Sequence, residues 1–272
     1  MSAPLQVLVN GGVGAPLSPF DRGLHFGDGL FETIHCANGQ PCWWPLHWQR
    51  MQRGAERLGL QLPAPEQLKA EVVELALHAE RCLVKLIVTR GEAVARGYAP
   101  TGRESGTRIA LRYDWPAPPP PLFRARLAKM TLGENPWLAG IKHLNRLEQV
   151  LAQREMVAAG CDELLLRAGS GRVVCGSMSN LFIATGDGLV TPDLELCGVE
   201  GVMRAMVLQA CAALRLPVRV AAISTENLAT AISVFVTNVR LGAQPVHNLD
   251  GRSLVIDPRI AQLQRWIDDH AF

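Results

Sequence analysis

Residues 138–152 read LAGIKHLNRLEQVLA and place one lysine, Lys142, just after a glycine and before a run of regularly spaced apolar residues. The spacing by three and four predicts an amphipathic helix from Lys142 to about Ala158. Its apolar stripe would consist of Ile141, Leu144, Leu147 and Leu151. A lysine in the first helical turn would lie at the positive end of the helix dipole, which disfavours the ammonium form. The free amine is the form that Schiff-base chemistry needs, although an ordinary surface lysine is the alternative.

The composition excludes several classes of function. The chain has 272 residues and a net charge of +2, without a basic run interleaved with aromatic residues, so we expect no nucleic-acid or membrane partner. The seven cysteines are scattered without a CxxC pair, and no histidines have metal-ligand spacing, so no metal site is predicted. The N-terminus lacks a signal-peptide pattern and no apolar run approaches about 20 residues, so a reduced, cytoplasmic protein is expected.

A proline-rich connector, residues 115–121, predicts two domains, because consecutive prolines cannot join a helix or a central strand. We expect a small α+β domain over residues 1–114 and a larger α+β domain over residues 122–272. Predicted strands cover residues 6–10, 31–36, 83–89, 108–113, 126–130, 163–167, 180–185 and 234–238, and predicted helices cover residues 45–58, 65–80, 142–158, 201–215 and 258–270.

Two segments have the pattern of an anion site. In Gly198-Val199-Glu200-Gly201-Val202-Met203-Arg204 a glycine turn opens into a helix, whose first N–H groups could bind a phosphate. In Val234-Phe235-Val236-Thr237-Asn238 an apolar strand ends in two hydrogen-bonding side chains. An ordinary helix N-terminus and a plain turn are the alternatives. Neither GxxxxGK[ST] nor a strand-linked GxGxxG is present, so a nucleotide site is not predicted.

A candidate Schiff-base lysine and candidate phosphate sites together suggest pyridoxal 5'-phosphate. The motifs that support this are Asp21-Arg22-Gly23, Phe26-Gly27-Asp28-Gly29-Leu30-Phe31-Glu32-Thr33, His47-x-x-Arg50, Arg90-Gly91, Arg96-Gly97-Tyr98, Asn135-Pro136 with residues 138–148, Ser177-x-x-Asn180-Leu181-Phe182, and Gly198-Val199-x-Gly201-Val202-Met203-Arg204. With them the chain resembles the fold type IV pyridoxal phosphate enzymes, and most closely the 4-amino-4-deoxychorismate lyases of folate biosynthesis. The resemblance implies an α+β fold with a smaller N-terminal domain, a larger C-terminal pseudo-barrel domain and a homodimer.

The resemblance also implies roles for individual residues. Lys142 would form the Schiff base and act as the catalytic base, and Arg50 would pair with the cofactor phosphate. The remaining cofactor-binding positions would be Val202, Met203, Thr237, Cys175 and Asn180. The substrate-binding positions would be Arg96, Tyr98, Phe31, Thr33 and His35. The alternatives are a solvated arginine at position 50, an exposed glycine turn around Tyr98, and an ordinary core phenylalanine and surface histidine at positions 31 and 35.

Cys175 departs from the family pattern, which usually has a glutamate five residues before the asparagine of the NLF motif. That glutamate keeps the pyridine nitrogen protonated and deepens the electron sink. A cysteine offers a weak hydrogen bond, or a thiolate if a cation lowers its pKa. Three interpretations follow: a lyase with a weaker sink, a related enzyme with altered activity, or a substitute acid elsewhere.

Physical reasoning favours a lyase, since loss of pyruvate from 4-amino-4-deoxychorismate leaves an aromatic 4-aminobenzoate and less charge must be stored in the cofactor. A fold type IV aminotransferase acting on D-amino or branched-chain amino acids is the alternative, but its reaction is not assisted by the formation of an aromatic product. A noncatalytic cofactor-binding or scaffold protein is a third hypothesis.

Overall fold

The protein divides into two compact units in a computed structural model that describes residues 3–272. The first unit contains the chain up to Ala117, the segment Ile141–Asn145 and Phe272, and the second contains Pro118–Gly140 and Arg146–Ala271. The change of unit falls inside the proline-rich connector. The sequence analysis placed Lys142 in the larger domain, whereas its segment lies in the first unit because its backbone pairs with a strand there.

The first unit is built on a six-stranded antiparallel sheet with the order β2-β1-β6-β5-β3-β4. Its strands are β1 (Gln6–Val9), β2 (Gly12–Val13), β3 (Gly29–Ala37), β4 (Gln40–Pro41), β5 (Arg81–Thr89) and β6 (Thr107–Asp114). Its helices are α1 (Arg22–Phe26), α2 (Trp44–Leu58) and α3 (Pro65–Ala76). Because side chains alternate along a strand, Glu32 and Ile34 of β3 share one face of the sheet, and Phe31, Thr33 and His35 share the other.

Helix α2 packs on β3 through a stripe of residues spaced by three and four positions. Pro45 lies in its first turn and Gly59 ends it in the left-handed conformation, with a φ of 58°, as expected of a glycine C-cap. The buried residues are His47, Arg50, Met51, Gly54 and Ala55. The stripe therefore brings two polar side chains, His47 and Arg50, into the interior.

The second unit contains a ten-stranded sheet. Its strands are β7 (Arg124–Leu132), β8 (Glu163–Ala168), β9 (Val173–Gly176), β10 (Asn180–Thr185), β11 (Gly188–Thr191), β12 (Val218–Val220), β13 (Ser233–Asn238), β14 (Gly242–Pro245), β15 (Asn248–Leu249) and β16 (Arg252–Ser253). Its helices are α4 (Leu147–Ala159), α5 (Val202–Ala213), α6 (Thr225–Thr230) and α7 (Arg259–Asp269). The rings of Phe182 and Phe235 stack 4.8 Å apart where β10 pairs with β13, and they anchor the core.

The prediction that Lys142 begins a helix is wrong, because α4 begins only at Leu147. The backbone around Lys142 is extended beside β3. The N–H of Phe31 donates to the carbonyl of Lys142 at 3.0 Å, and the N–H of Leu144 donates to the carbonyl of Gly29 at 3.0 Å. These sheet-type hydrogen bonds override the helical periodicity, so no helix dipole acts on Lys142.

The predicted apolar stripe of α4 also faces the wrong way. Leu147 is 78% exposed and Leu151 is 50% exposed, and Val150 and Val157 are exposed beside them. Ala152 is the only residue of α4 that is buried. Spacing by three and four therefore identified a helix with one apolar face, but that face does not pack on the core of its own chain.

Among residues 3–272, none of the helices combines the length and the apolar character needed to cross a membrane.

Candidate active site

A buried cluster of three ionisable residues joins β3 to α2. Glu32 accepts hydrogen bonds from Arg50, with Nε to Oε1 at 2.8 Å and Nη2 to Oε2, and His47 Nδ1 contacts Oε2 at 2.6 Å. All three side chains are almost fully buried. A guanidinium held at two nitrogens by one carboxylate has a fixed orientation, which is what pairing with a phosphate requires. The sequence analysis quoted Glu32 and His47 as motif residues but gave them no role.

The charges in this cluster are well defined. Burial opposes ionisation of Glu32, but Arg50 and His47 outweigh it and lower the pKa of Glu32 to about 2. Burial lowers the pKa of His47, against the opposing effect of Glu32. At neutral pH the cluster is therefore a carboxylate, a guanidinium and a neutral imidazole.

Lys142 lies beside the first residues of β3, and its Nζ is 4.3 Å from the ring centroid of Phe31. A second lysine, Lys85 of β5, has its Nζ 5.1 Å from the centroid of the same ring. Lys85 is half-buried, pairs with Thr33 across the sheet, and has a pKa lowered by burial. The amines of two lysines thus lie close to the ring of Phe31, and Lys85 was not singled out from the sequence. The available signal was a lysine inside the otherwise apolar run Leu83–Val88.

A second group of candidate residues surrounds the start of α5. Asn180 uses its side chain to hold the preceding turn, since its Nδ2 donates to the carbonyl of Val199 at 2.8 Å and its Oδ1 accepts from the N–H of Gly201 at 3.1 Å. A Cβ on Gly201 would come within 2.1 Å of Asn180 Oδ1, so only glycine fits there. Asn180 therefore acts through this turn, which sets the direction of the first N–H groups of α5.

Thr237 faces Asn180 across the pairing of β13 with β10. Its hydroxyl is buried and has no hydrogen-bond partner among residues 3–272. Val202 and Met203 occupy the first turn of α5, where N–H groups lack partners within the helix, and no side chain caps them. A buried hydroxyl without a partner and an uncapped helix start are the donors that a phosphate group needs, so these residues fit the expected cofactor.

Cys175 is buried in β9 and pairs with Asn180 of β10. Burial, with smaller effects of Cys197 and Glu163, raises the pKa of its thiol. The thiol is therefore neutral, which removes the thiolate alternative. The buried carboxyl group of Glu163 lies in the same region and accepts hydrogen bonds from the N–H of Ser177 at 2.9 Å and from Ser179 Oγ at 2.7 Å. Burial raises the pKa of Glu163 in spite of these hydrogen bonds. The sequence analysis missed Glu163, and only its place at the start of an apolar strand marked it.

The predicted substrate residues occupy different environments. Phe31 and Thr33 are half-buried on the same face of β3. His35 is buried against Trp115, with ring centroids 4.2 Å apart, and burial lowers its pKa to about 4. Arg96 and Tyr98 lie in the irregular segment 90–106 between β5 and β6, and Tyr98 is 83% exposed.

The sequence pattern of the family described as Amino-transferase class IV matches residues 29–249. The chain belongs to this family. It is 31% identical to an aminodeoxychorismate lyase of Vibrio harveyi over 90% of this chain and 92% of that protein. It is 29% identical to a D-alanine aminotransferase of Bacillus licheniformis, over 86% of this chain and 83% of that protein.

A crystal structure of 4-amino-4-deoxychorismate lyase from Pseudomonas aeruginosa is similar over 98% of this chain and 100% of that chain, with 40% identity and a TM-score of 0.91. The predicted two-domain α+β fold of type IV is thereby confirmed.

Proposed function

We propose that this protein is a pyridoxal phosphate-dependent lyase that converts 4-amino-4-deoxychorismate to 4-aminobenzoate and pyruvate. The observation that carries the proposal is the 40% identity to the Pseudomonas aeruginosa lyase over nearly the whole chain. The segment around Lys142, which resembles the lyases rather than the aminotransferases of the family, supports the same reaction.

Lys142 would hold the cofactor through its Nζ. The first N–H groups of α5, at Val202 and Met203, together with the buried hydroxyl of Thr237, would be donors for its phosphate. Arg50 would supply a positive charge for a phosphate, in the orientation that Glu32 imposes. When bound, pyridoxal phosphate withdraws electrons from the carbon that carries the substrate amine.

Lys142 also moves the proton. The free amine of Lys142 would take the proton from the amine-bearing ring carbon of the substrate. The bond between the ring and the enolpyruvyl oxygen then breaks, and the enol takes up a proton to become pyruvate. Because the ring becomes aromatic, the reaction does not require a strong electron sink, and a neutral Cys175 is compatible with it.

The decisive experiment incubates the purified protein with 4-amino-4-deoxychorismate and measures pyruvate and 4-aminobenzoate together. We expect both products in equal amounts. Lys142→Ala should abolish the visible absorbance of the bound cofactor and the reaction, whereas Lys85→Met, the matched change at the second lysine beside Phe31, should retain the absorbance. A wild-type protein that carries the cofactor but releases neither product would refute the lyase proposal.

An aminotransferase acting on D-amino or branched-chain amino acids is the second candidate, and the 29% identity to a D-alanine aminotransferase favours it. It would convert pairs of amino acid and 2-oxo acid without releasing 4-aminobenzoate. Transfer between D-alanine and 2-oxoglutarate, measured in the same preparation, separates the two functions.

We also propose that the protein is a cytoplasmic homodimer. The apolar face of α4, formed by Leu147, Val150, Leu151 and Val157, supports the dimer, because exposed apolar residues at helical spacing commonly mark an interface.

A further inference from the structure

Arg22 is buried in α1 and carries a positive charge for which the proposed reaction has no direct use. Its guanidinium reaches into the irregular segment between β5 and β6. Nη2 donates to the carbonyl of Tyr98 at 2.5 Å, and Nη1 donates to the carbonyl of Gly97 at 3.4 Å. One buried side chain thus holds the segment at the two residues that follow Arg96.

Asp28 fixes the other edge of this guanidinium, accepting a hydrogen bond from Arg22 Nε at 2.9 Å. The same carboxylate accepts from Arg90 Nε at 2.8 Å and from Arg90 Nη2 at 3.1 Å. Burial opposes ionisation of Asp28, but the two arginines outweigh it and lower its pKa. Arg22 therefore has a charged partner on one edge and the backbone of the segment on the other, which defines its orientation.

Aromatic packing adds a second connection to the same segment. The ring of Phe26 lies 5.2 Å from the ring of Tyr98, and the guanidinium carbon of Arg22 lies 5.1 Å from the Phe26 centroid. Tyr98 is nevertheless largely exposed, so its own burial cannot fix its position. Gly97 has a φ of 108°, and because glycine is conformationally permissive, this part of the backbone has little local preference for one conformation.

We propose that Arg22 is a positioning residue that holds Arg96 and Tyr98 in place to bind a carboxylate of the substrate. The proposal rests on the proposed function, in which these two side chains meet a substrate carboxylate. Arg22 does not touch the substrate. Its contribution is to fix two backbone carbonyls, so that the adjoining side chains need not be ordered each time substrate binds.

Arg90 provides a matched control. It shares Asp28 with Arg22, but its remaining donors bind the carbonyls of Leu58 and Gly59 at the end of α2, at 2.8 and 2.7 Å. Arg90→Gln therefore removes an arginine from Asp28 without removing a hydrogen bond to Gly97 or Tyr98. Arg22→Gln removes the hydrogen bonds to the segment as well.

The test measures the segment directly, by limited trypsin digestion of the cofactor-loaded enzyme without substrate, with cleavage after Arg96 and Arg103 followed by mass spectrometry. Arg22→Gln should raise the rate of cleavage there by roughly tenfold or more, the effect expected from losing hydrogen bonds to a charged group. Arg90→Gln should leave this rate within about twofold of the wild type. Equal increases in the two variants would overturn the proposal, because the effect would then belong to Asp28 or to general stability.

Kinetics supply the second readout. In Arg22→Gln we expect KM for 4-amino-4-deoxychorismate to rise roughly tenfold while kcat and the visible spectrum of the cofactor stay near wild type. Arg22→Lys keeps a positive charge beside Asp28 but lacks the planar guanidinium group. It should raise the cleavage rate and KM less than Arg22→Gln does, and it should remain folded even if Arg22→Gln does not. Faster cleavage with an unchanged KM would refute the link to substrate. If the wild type releases no pyruvate, the proposed function fails, and the cleavage rates still decide whether Arg22 holds the segment.

Discussion

Cys175 is a neutral, buried thiol at the position where the resemblance to the fold type IV enzymes predicts a glutamate. It pairs with Asn180 on the neighbouring strand β10, and the Asn180 side chain holds the turn before α5. A neutral thiol can donate only a weak hydrogen bond, so it cannot stabilise a protonated pyridine nitrogen as a carboxylate does.

Replacing Cys175 by Ala should therefore change the kcat of the lyase reaction by less than about threefold, since no strong interaction is lost. Steady-state kinetics with 4-amino-4-deoxychorismate would measure this, with Cys197→Ala as a control for removing a neighbouring thiol of the same core cluster. A loss greater than about tenfold in Cys175→Ala alone would mean that the thiol takes part in the chemistry.

Glu32 should make the stability of the folded protein depend on pH, because its pKa is lowered from 4.5 to about 2. A lowered carboxyl pKa stabilises the folded protein fully above pH 4.5, and the contribution is lost as the pH falls from 4.5 towards 2. The shift corresponds to about 3 kcal/mol of free energy of unfolding. Urea unfolding at pH 7 and pH 3 should show the loss in the wild type.

Glu32→Gln should lower the free energy of unfolding by about 3 kcal/mol or more at pH 7, since Arg50 is left buried without its anion, and should show a weaker acid dependence. Glu71→Gln, which removes another carboxylate paired with one arginine, Arg108 at 2.8 Å, is the control. An acid dependence in Glu32→Gln as steep as in the wild type would contradict the assignment.

At the scale of single elements, local sequence predicted which segments are regular but not what they pack against. The helix predicted for residues 65–80 forms over 65–76, and the strand predicted for 180–185 forms over those residues. The signals for them, a proline at a helix start and a short run of mainly apolar residues, are local. The helix predicted at Lys142 failed because residues 141–145 form hydrogen bonds with β3, more than a hundred residues earlier in the chain. No periodicity in the segment itself contains that information.

The extended conformation at Lys142 can be tested by removing one hydrogen bond. Leu144→Pro deletes the N–H that donates to Gly29 and should cost about 1 kcal/mol or more of stability, with reduced absorbance of the bound cofactor. Leu144→Ala keeps the N–H and removes only the side chain, so it should retain more of the absorbance. If the segment were helical from Lys142, as periodicity suggested, a proline at position 144 would lie in the first turn and cost little.

For the whole molecule, the sequence predicted two α+β units and a change between them in the proline-rich connector, because proline composition and local periodicity are visible without contacts. The strand orders and the return of Lys142 to the first unit depend on pairing between distant residues. The motifs supplied the candidate site residues, such as Arg50 and Thr237, and their roles stay predictions. The residues that orient these side chains, such as Glu32 for Arg50, could be identified only from the structure.

The proposed dimer is a property of the whole molecule and can be tested by measuring its mass. Light scattering should give about twice the chain mass of 29.6 kDa. Leu147→Glu with Leu151→Glu should shift the protein towards monomer, because two charges would have to be buried in the interface. Arg265→Ala on α7, also exposed but outside this face, should leave the mass unchanged. A dimer that survives the double change would place the interface elsewhere.

The two hydrogen bonds that tie the backbone on either side of His143 to β3 also determine how Lys142 can move. These hydrogen bonds hold the backbone of Lys142 in place. Its amine therefore moves only by rotation about the four bonds of the side chain. Such rotations occur within picoseconds to nanoseconds in accessible side chains, many orders of magnitude faster than loop closure or turnover. The amine would therefore reach each position that the reaction requires by side-chain rotation alone, without any refolding of its segment.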